Sequence, residues 1–210
     1  PTHLLCHSDR TGDANLVDAF TQYLAEKGEY DPHGENRFKP GICNRLDRGT
    51  TGVMAVAKTG FIHARCMAML HTDDFRREYR AVCEGIPSPA EGDIDLPMGR
   101  AESSLLKRQA DPLGQPAHTH YEVLAASQGR ALLRLTPTTG RTHQLRVHMA
   151  AIGHPLTGDW LYGTEDRALI ARPALHSYHL RMMHPLTGAV IDVTAPLPED
   201  MQRLLKEERL

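Results

Sequence analysis

Residues 115–137 read QPAHTHYEVLAASQGRALLRLTP, and this stretch decides the fold class. Two runs with the composition of β-strands, 115–126 and 130–137, flank the connector 127–129. A connector this short joins antiparallel neighbours, because parallel strands need a crossover of a dozen or more residues. The stretch therefore predicts a β-hairpin within a sheet that is at least partly antiparallel.

Helical and strand-like patterns alternate irregularly on both sides of this hairpin. Apolar residues at helical spacing predict four helices, over 15–26, 60–71, 141–152 and 199–210. Short apolar or alternating runs predict strands, over 53–57, 77–83, 175–182 and 189–196. The Pro- and Gly-rich residues 86–99 predict a surface excursion. Helices mixed with hairpins favour an α+β fold, with a mixed, largely antiparallel sheet and flanking helices, over a doubly wound fold.

The composition is that of an ordinary globular domain. The chain has 210 residues, of which 40% are hydrophobic and 24% charged, so one large domain or two small ones fit this length. The sequence has no run of 18 or more apolar residues, which predicts no membrane span. Four cysteines without CxxC spacing predict reduced thiols, as in a cytoplasmic protein.

The charge distribution is more informative than the net charge of −2. Residues 123–158 and 168–191 contain no Asp or Glu, yet they carry most of the arginines of the C-terminal half. If these arginines share a face, they form a basic surface that a polyanion such as RNA would bind. If they are scattered around the fold, they form no such patch, and composition alone leaves both interpretations open.

Residues 44–52 read NRLDRGTTG and contain Asp47, the carboxylate of this chain that is the main candidate for a functional role. Flanking guanidiniums keep an aspartate ionised, and Gly49 and Gly52 permit sharp turns around it. Such an Asp can act as a nucleophile, a base or a metal ligand. The alternative interpretation is an Asp whose carboxylate caps its own turn.

Motifs for several other chemistries are absent from the sequence. It contains no HExxH zinc motif, no GxSxG nucleophile elbow, and neither of the glycine-rich phosphate loops GxxxxGK[ST] and GxGxxG. The HxH pair is predicted to share one face of a strand, and His176 and His179 of the HxxH pair to lie on opposite faces. Neither pair has further ligands at metal-site spacing, so most of these histidines are interpreted as structural or surface residues. Residues 139–149, TGRTHQLRVHM, place Arg141 and His143 at a predicted helix start, which suits either a phosphate or an ordinary basic helix.

Four segments together resemble the RluA-type RNA pseudouridine synthases. NRLDRGTTG followed by VMAVAKT is similar to the motif of that family that carries an aspartate, and REYRAVCEG to its tyrosine strand. TGRTHQLRVHMAAIGHPLTGDWLYG and ALHSYHL resemble two later segments. The matches occur in the family's order from about residue 14 to residue 196. One departure is Asn44, which stands where the family has histidine.

The resemblance implies a pseudouridine synthase-like catalytic domain that isomerises uridine to pseudouridine in structured RNA, either ribosomal or transfer RNA. It implies no metal, no organic cofactor, no nucleotide cofactor and no membrane partner. Asp47 would initiate cleavage of the glycosidic bond, Tyr79 would stack on the base and help to remove the C5 proton, and Arg146 would pair with Asp47. Leu175 would line the base pocket, and Arg45 would fill the space that the flipped nucleotide leaves. With Arg141 and His143 as RNA-binding residues, these are the predicted site residues.

Residues 1–210 are expected to form a single catalytic domain, monomeric, that lacks the start of the family's first strand and has no S4-like domain. Two other functions remain open at this point. One is a non-catalytic RNA-binding module on the same fold, which would not need Asp47. The other is a metal-dependent nuclease or hydrolase that uses Asp47 together with some of the histidines.

Overall fold

The computed structural model describes residues 6, 14–34, 37–101, 104 and 106–210 of the chain. The helices in this part are α1 (Leu16–Glu26), α2 (Gly60–Met69), α3 (Gln144–Ala151) and α4 (Glu199–Glu208). The first strands are β1 (Gly41–Ile42), β2 (Thr51–Gly52), β3 (Val56–Ala57), β4 (Phe75–Glu84), β5 (Glu91–Asp95) and β6 (Met98–Arg100). The later strands are β7 (Arg108–Ala110), β8 (His118–Ser127), β9 (Arg130–Pro137), β10 (Leu175–Met183) and β11 (Val190–Thr194).

The main sheet has seven strands in the order β11-β10-β4-β9-β8-β5, with β2 paired to β10 beside this path. All neighbours along the path are antiparallel, and only the short β2 is parallel to its partner. The predicted α+β class with a mixed, largely antiparallel sheet is therefore confirmed.

The predicted hairpin is β8 and β9. Gln128 and Gly129 form its turn with φ angles of 51° and 81°, and Ser127 belongs to β8 rather than to the connector. Positive φ at both central residues gives the turn a twist that matches the right-handed twist of paired strands. Buried and half-buried residues alternate along the whole of β9, as expected for a central strand.

Both faces of the sheet are covered, and β4 contributes to both. Ala81 and Cys83 belong to the cluster that includes Leu145 and Met149 of α3. Val82, between them, belongs to the cluster that includes residues of α4. Successive strand residues point to opposite faces, so α3 and α4 pack on opposite sides of the sheet.

The predicted surface excursion at residues 86–99 is wrong. It contains β5, which extends the main sheet by pairing with β8, and the first part of β6, which pairs with β7. Ile94 is buried in the core, and Gly92 lies against the ring of Tyr121, where a Cβ would come within 3.0 Å of the ring. Gly92 therefore does not mark a loop. Its lack of a side chain allows the edge strand β5 to pack closely on the ring of Tyr121.

The other predicted elements are present with altered bounds: the four helices are shorter than predicted, whereas β4 and β10 extend beyond the predicted 77–83 and 175–182. The strand predicted at 53–57 is reduced to β3, which pairs with β1, and the helix predicted at 141–152 begins at Gln144. None of the helices in the described ranges is both long and apolar enough to cross a bilayer.

Candidate active site

Asp47 lies in the loop between β1 and β2, and its backbone closes the turn there. The Asp47 carbonyl accepts a hydrogen bond from the Thr50 amide at 2.9 Å, and Gly49 follows with a φ of 91°. The carboxylate is half-buried and makes no hydrogen bond or ion pair within the described part of the chain. The turn is therefore held by the backbone, and the side chain is not used as a cap.

The loop is also held by the buried side chain of Arg172. Its Nη1 donates to the carbonyl oxygen of Gly49 at 3.0 Å and to that of Leu175 at 3.0 Å. Its Nε and Nη2 form a two-pronged ion pair with Asp200 at the start of α4, at 2.7 and 2.8 Å. One guanidinium thus connects the turn after Asp47, the start of β10 and α4. We identify Arg172 as a positioning residue, since planar Arg–carboxylate pairs fix orientation as well as charge.

A cavity of about 250 Å³ opens beside Asp47. Its lining includes five of the seven site residues predicted from the sequence: Arg45, Asp47, Tyr79, Arg141 and Leu175. Asn44 and Arg77 also line it. Asp47 is its one carboxylate among the described residues, and three guanidiniums share the lining with it.

Tyr79 is the aromatic residue of this cavity and is almost completely buried on β4. Burial raises the pKa of Tyr79, and the positive charge of Arg77 and the hydroxyl of Ser177 oppose that shift in part, while Asp47 adds to it. The resting form is therefore a neutral phenol. A neutral buried ring offers an apolar surface on which a planar base can stack.

The expected ion pair between Arg146 and Asp47 is not formed. Arg146 on α3 instead donates through Nε and Nη2 to the two carboxylate oxygens of Asp159, both at 2.7 Å. Burial alone would lower the pKa of Arg146, but Asp159 raises it, and the negative charge of Asp47 adds to that effect. Asp47 therefore acts on Arg146 through space, beyond ion-pair distance.

His143 does not line the cavity, although it interacts electrostatically with Asp47. It precedes α3 in the left-handed conformation, with φ 60°, and its Nδ1 lies 2.8 Å from the hydroxyl of Tyr162. That hydroxyl already accepts the amide of Arg108 at 2.9 Å, so its proton is free to be donated to His143 Nδ1. Burial lowers the pKa of His143, which favours a neutral imidazole.

The arginines of the two acid-free runs do not form a common basic face. Each of five finds an acid from elsewhere in the chain: Arg130 with Glu84 and Glu208, Arg134 with Glu122, Arg146 with Asp159, Arg172 with Asp200 and Arg181 with Asp192. Among the described residues Arg141 makes no ion pair, and it lies in the cavity. Of the six arginines in these runs, the one without an ion pair among the described residues is therefore the one that lines the cavity.

Comparison with known proteins assigns this arrangement to a family. The sequence model described as RNA pseudouridylate synthase matches residues 1–151. The chain belongs to the RNA pseudouridylate synthase family. This confirms the family that the four sequence segments indicated.

Curated relatives within this family are substantially similar. An uncharacterized RNA pseudouridine synthase of Bacillus subtilis, YjbO, is 45% identical over 167 residues, which is 80% of this chain and 59% of that protein. The ribosomal large subunit pseudouridine synthase D of Escherichia coli is 40% identical over 184 residues, or 81% of this chain and 56% of that protein. The chain thus spans little more than half the length of these relatives.

Solved structures of the pseudouridylate synthase family share the fold. Human RNA pseudouridylate synthase domain containing 1 has a TM-score of 0.66 and 27% identity, covering 76% of this chain and 69% of that one. Human RNA pseudouridylate synthase domain containing 4 has a TM-score of 0.77 over the whole of this chain and 87% of that one, at 23% identity. The second likeness concerns the fold alone.

Some residues of this site were not found by sequence reasoning. Asp159 and Tyr162 lie in the GDWLYG segment that carried the resemblance, but nothing in that segment named their partners. Arg172 lies in one of the acid-free runs, and no pattern there indicates its contacts with Gly49 and Asp200. Arg77 was read as part of a strand, although an arginine two residues before a buried tyrosine on the same strand face is a usable signal.

Proposed function

We propose that this protein isomerises uridine to pseudouridine in RNA, with Asp47 as the catalytic carboxylate. One observation carries the proposal. Asp47 is ionisable, half-buried and without a side-chain partner in the described part of the chain, in a cavity that also contains Tyr79, Leu175 and three arginines. A carboxylate with no structural task, at a turn held by other groups, is available for chemistry.

In the proposed reaction Asp47 initiates cleavage of the bond between ribose C1′ and uracil N1. The uracil then turns within the cavity and rejoins C1′ through C5, after which the C5 proton leaves and N1 takes up a proton. Tyr79 and Leu175 contribute the apolar surfaces between which the detached base is retained. Because Tyr79 rests as a phenol, it can accept the C5 proton only after it has passed its own proton on.

The target nucleotide must leave its stack to reach this cavity, which costs a few kcal/mol. Arg45 is exposed at the cavity, and a planar guanidinium there can occupy the position of the extruded base and stack on its neighbours. The remaining arginines of the cavity supply positive charge for the RNA backbone.

The proposed substrate is structured RNA. Relatives named as ribosomal large subunit pseudouridine synthase D make large-subunit ribosomal RNA the first to test; transfer RNA is the second. We propose a cytoplasmic, monomeric enzyme that works without metal, organic cofactor or nucleotide cofactor. The substrate is identified by mapping pseudouridine at each position of total RNA from cells with and without the gene.

Substitution of Asp47 by Asn tests the catalytic assignment. Asp47→Asn keeps the size of the side chain and removes its charge, so pseudouridine formation is expected to fall more than about 1,000-fold while RNA is still bound. Asp73→Asn, a change of the same kind at an exposed aspartate, serves as the control and should keep full activity. Undiminished pseudouridine formation by Asp47→Asn would refute the role of Asp47.

The same assay separates the alternative functions. A wild-type protein that binds RNA but never forms pseudouridine would be a binding module on this fold. Activity that is lost in chelator and restored by a divalent metal would favour a metal-dependent hydrolase. Within the described ranges no group of three or more His, Cys, Asp or Glu side chains is arranged to hold a metal ion.

A further inference from the structure

Arg77 is a buried cation without a matching anion. It lies on β4 with only 6% of its surface exposed. Its Nη2 donates to the carbonyl oxygen of Thr139 at 3.2 Å, whereas its buried Nε has no hydrogen-bond partner. Within the described part of the chain no carboxylate lies within ion-pair distance of it.

The other guanidiniums that are as deeply buried are neutralised. Arg146 pairs with Asp159 and Arg172 with Asp200, each through two hydrogen bonds of 2.7–2.8 Å. An uncompensated buried charge is costly, and folds normally remove it by pairing. The fold pairs two buried arginines with carboxylates but leaves Arg77 without one among the described residues. The charge of Arg77 is therefore available to an anionic ligand.

The position of Arg77 identifies where that anion would bind. Arg77 lines the same cavity as Asp47 and lies two residues from Tyr79 on the same face of β4. Gly140 gives it room, since a Cβ at that position would lie 3.3 Å from Arg77 Nη1. Arg141, which also lacks an ion pair within the described residues, lines the cavity beside it.

We propose that Arg77 binds a phosphodiester group of the RNA next to the target uridine and so fixes the flipped nucleotide over Asp47. This rests on the proposed function in one respect, that the anion belongs to RNA. A carbonyl oxygen of uracil is neutral and would satisfy a donor without compensating the charge. A phosphodiester does both, and guanidinium forks match its geometry.

The salt dependence of RNA binding tests this proposal. A transcript of large-subunit ribosomal RNA is titrated with the wild type and with Arg77→Met from about 50 to about 200 mM salt. Loss of one phosphate contact should lower the slope of log affinity against log salt by about 0.7–0.9. The affinity at the lowest salt should fall about 10-fold or more. An unchanged slope would overturn the proposal, even if affinity fell.

Two further variants exclude trivial explanations. Arg76→Gln removes the same charge from the neighbouring, exposed arginine that pairs with Asp73, and it should leave the slope within about 0.2 of the wild type. Arg77→Lys retains the charge, so it should retain the slope while binding less tightly, because it loses the planar fork. If Arg76→Gln lowers the slope as much as Arg77→Met does, the effect is one of net charge and the proposal fails.

Thermal unfolding of the free protein provides an independent readout. Removal of an unpaired buried charge should leave the melting temperature of Arg77→Met equal to or above that of the wild type. A lower melting temperature with an unchanged slope would make Arg77 a structural residue. If Arg77→Met does not fold, Arg77→Gln, which retains a polar group, replaces it in the same titration with the same expected slope.

The outcomes for Arg77 and for the proposed function are separable. A wild type that forms pseudouridine, with an Arg77→Met slope equal to its own, would refute the role of Arg77 and leave the function intact. A wild type that forms no pseudouridine, but whose RNA binding depends on Arg77 as described, would refute the function and leave the anion site intact.

Discussion

Asp47 is surrounded by positive charge but is directly bound by none of it. Arg146, the partner that family resemblance implied, is committed to Asp159. In the proposed reaction this separation leaves the oxygens of Asp47 available, because a carboxylate clamped by a bidentate arginine is a weaker nucleophile than one that is only attracted by a nearby charge. Asp159 holds the guanidinium of Arg146 near Asp47, where the two interact through space, and leaves the oxygens of Asp47 unoccupied.

Substitution of Arg146 by Ala should therefore affect stability as much as activity. The side chains of Arg146 and Asp159 are 4% and 0% exposed, so Arg146→Ala leaves an uncompensated buried carboxylate. The free energy of unfolding should fall by about 3–5 kcal/mol, measured by urea denaturation, and pseudouridine formation should be lost.

The exposed pair of Arg167 and Glu165 is the control for this prediction. Its side chains are 77% and 47% exposed, and Arg167→Ala should cost less than about 1 kcal/mol. Equal losses for the two variants, or a normal unfolding midpoint for Arg146→Ala, would contradict a structural role for the buried pair.

At the scale of elements, the parallel contact of β2 with β10 fixes the far end of the Asp47 loop. Gly52 in β2 has a φ of 119°, and a Cβ there would lie 2.1 Å from the carbonyl oxygen of Ser177. The backbones of the two strands are therefore too close for any side chain at this position, and the packing requires glycine at residue 52.

Replacement of Gly52 by Ala should displace β2 and weaken the protein by more than about 3 kcal/mol. Gly129→Ala is the matched control: its φ of 81° is also positive, but no atom lies within 4 Å of the added Cβ, so only the backbone cost of about 1–2 kcal/mol applies. Urea denaturation of both variants measures the difference. Similar losses would mean that backbone conformation alone, and not the contact with Ser177, determines the cost.

Strand irregularities explain one element-scale expectation that was wrong. The spacing of His176 and His179 predicts opposite faces of a strand, but β10 has a bulge between Ser177 and His179. His176 pairs with Arg80 and His179 with Glu78, which lie on one face of β4. The bulge adds one residue and so reverses the alternation, which no pattern in residues 175–182 indicates.

At the scale of the whole molecule, burial of histidines makes stability depend on pH. Burial lowers the pKa of His143, His148 and His176. As pH falls through about 6.5, the unfolded chain takes up protons that the folded protein does not. Stability is therefore fully present above about pH 6.5 and declines below it, by up to about 1.4 kcal/mol per pH unit for each histidine.

Urea denaturation at several pH values checks this prediction, with His148→Gln as the informative variant. His148 is completely buried, between Thr119 Oγ1 and the carbonyl oxygen of Leu96, both at 3.0 Å. Its removal should make the decline below about pH 6.5 shallower. His33→Gln, at an exposed position, should leave the slope unchanged. A slope that is the same in all three proteins would show that buried histidines do not cause the decline.

The sequence by itself determined the fold class, most of the elements and the family. These follow from local patterns. The alternating residues and short connector of 115–137 indicate the hairpin, and apolar spacing indicates the helices. Motifs that contain Asp47, Tyr79 and Leu175 in the order of the family indicate the site. Local patterns carry this information because backbone hydrogen bonding and the burial of one face depend on neighbouring residues.

Only the tertiary structure decided which charges are paired. The acid-free runs left open whether their arginines form a basic face, and five of these arginines pair with acids as distant in sequence as Glu208 from Arg130. The same folding leaves Arg77 as a buried cation beside Asp47 without an ion-pair partner among the described residues, and the sequence of its strand does not show that it lacks one. Ion pairing depends on which side chains meet within about 3 Å, and chain topology, not sequence spacing, sets those distances.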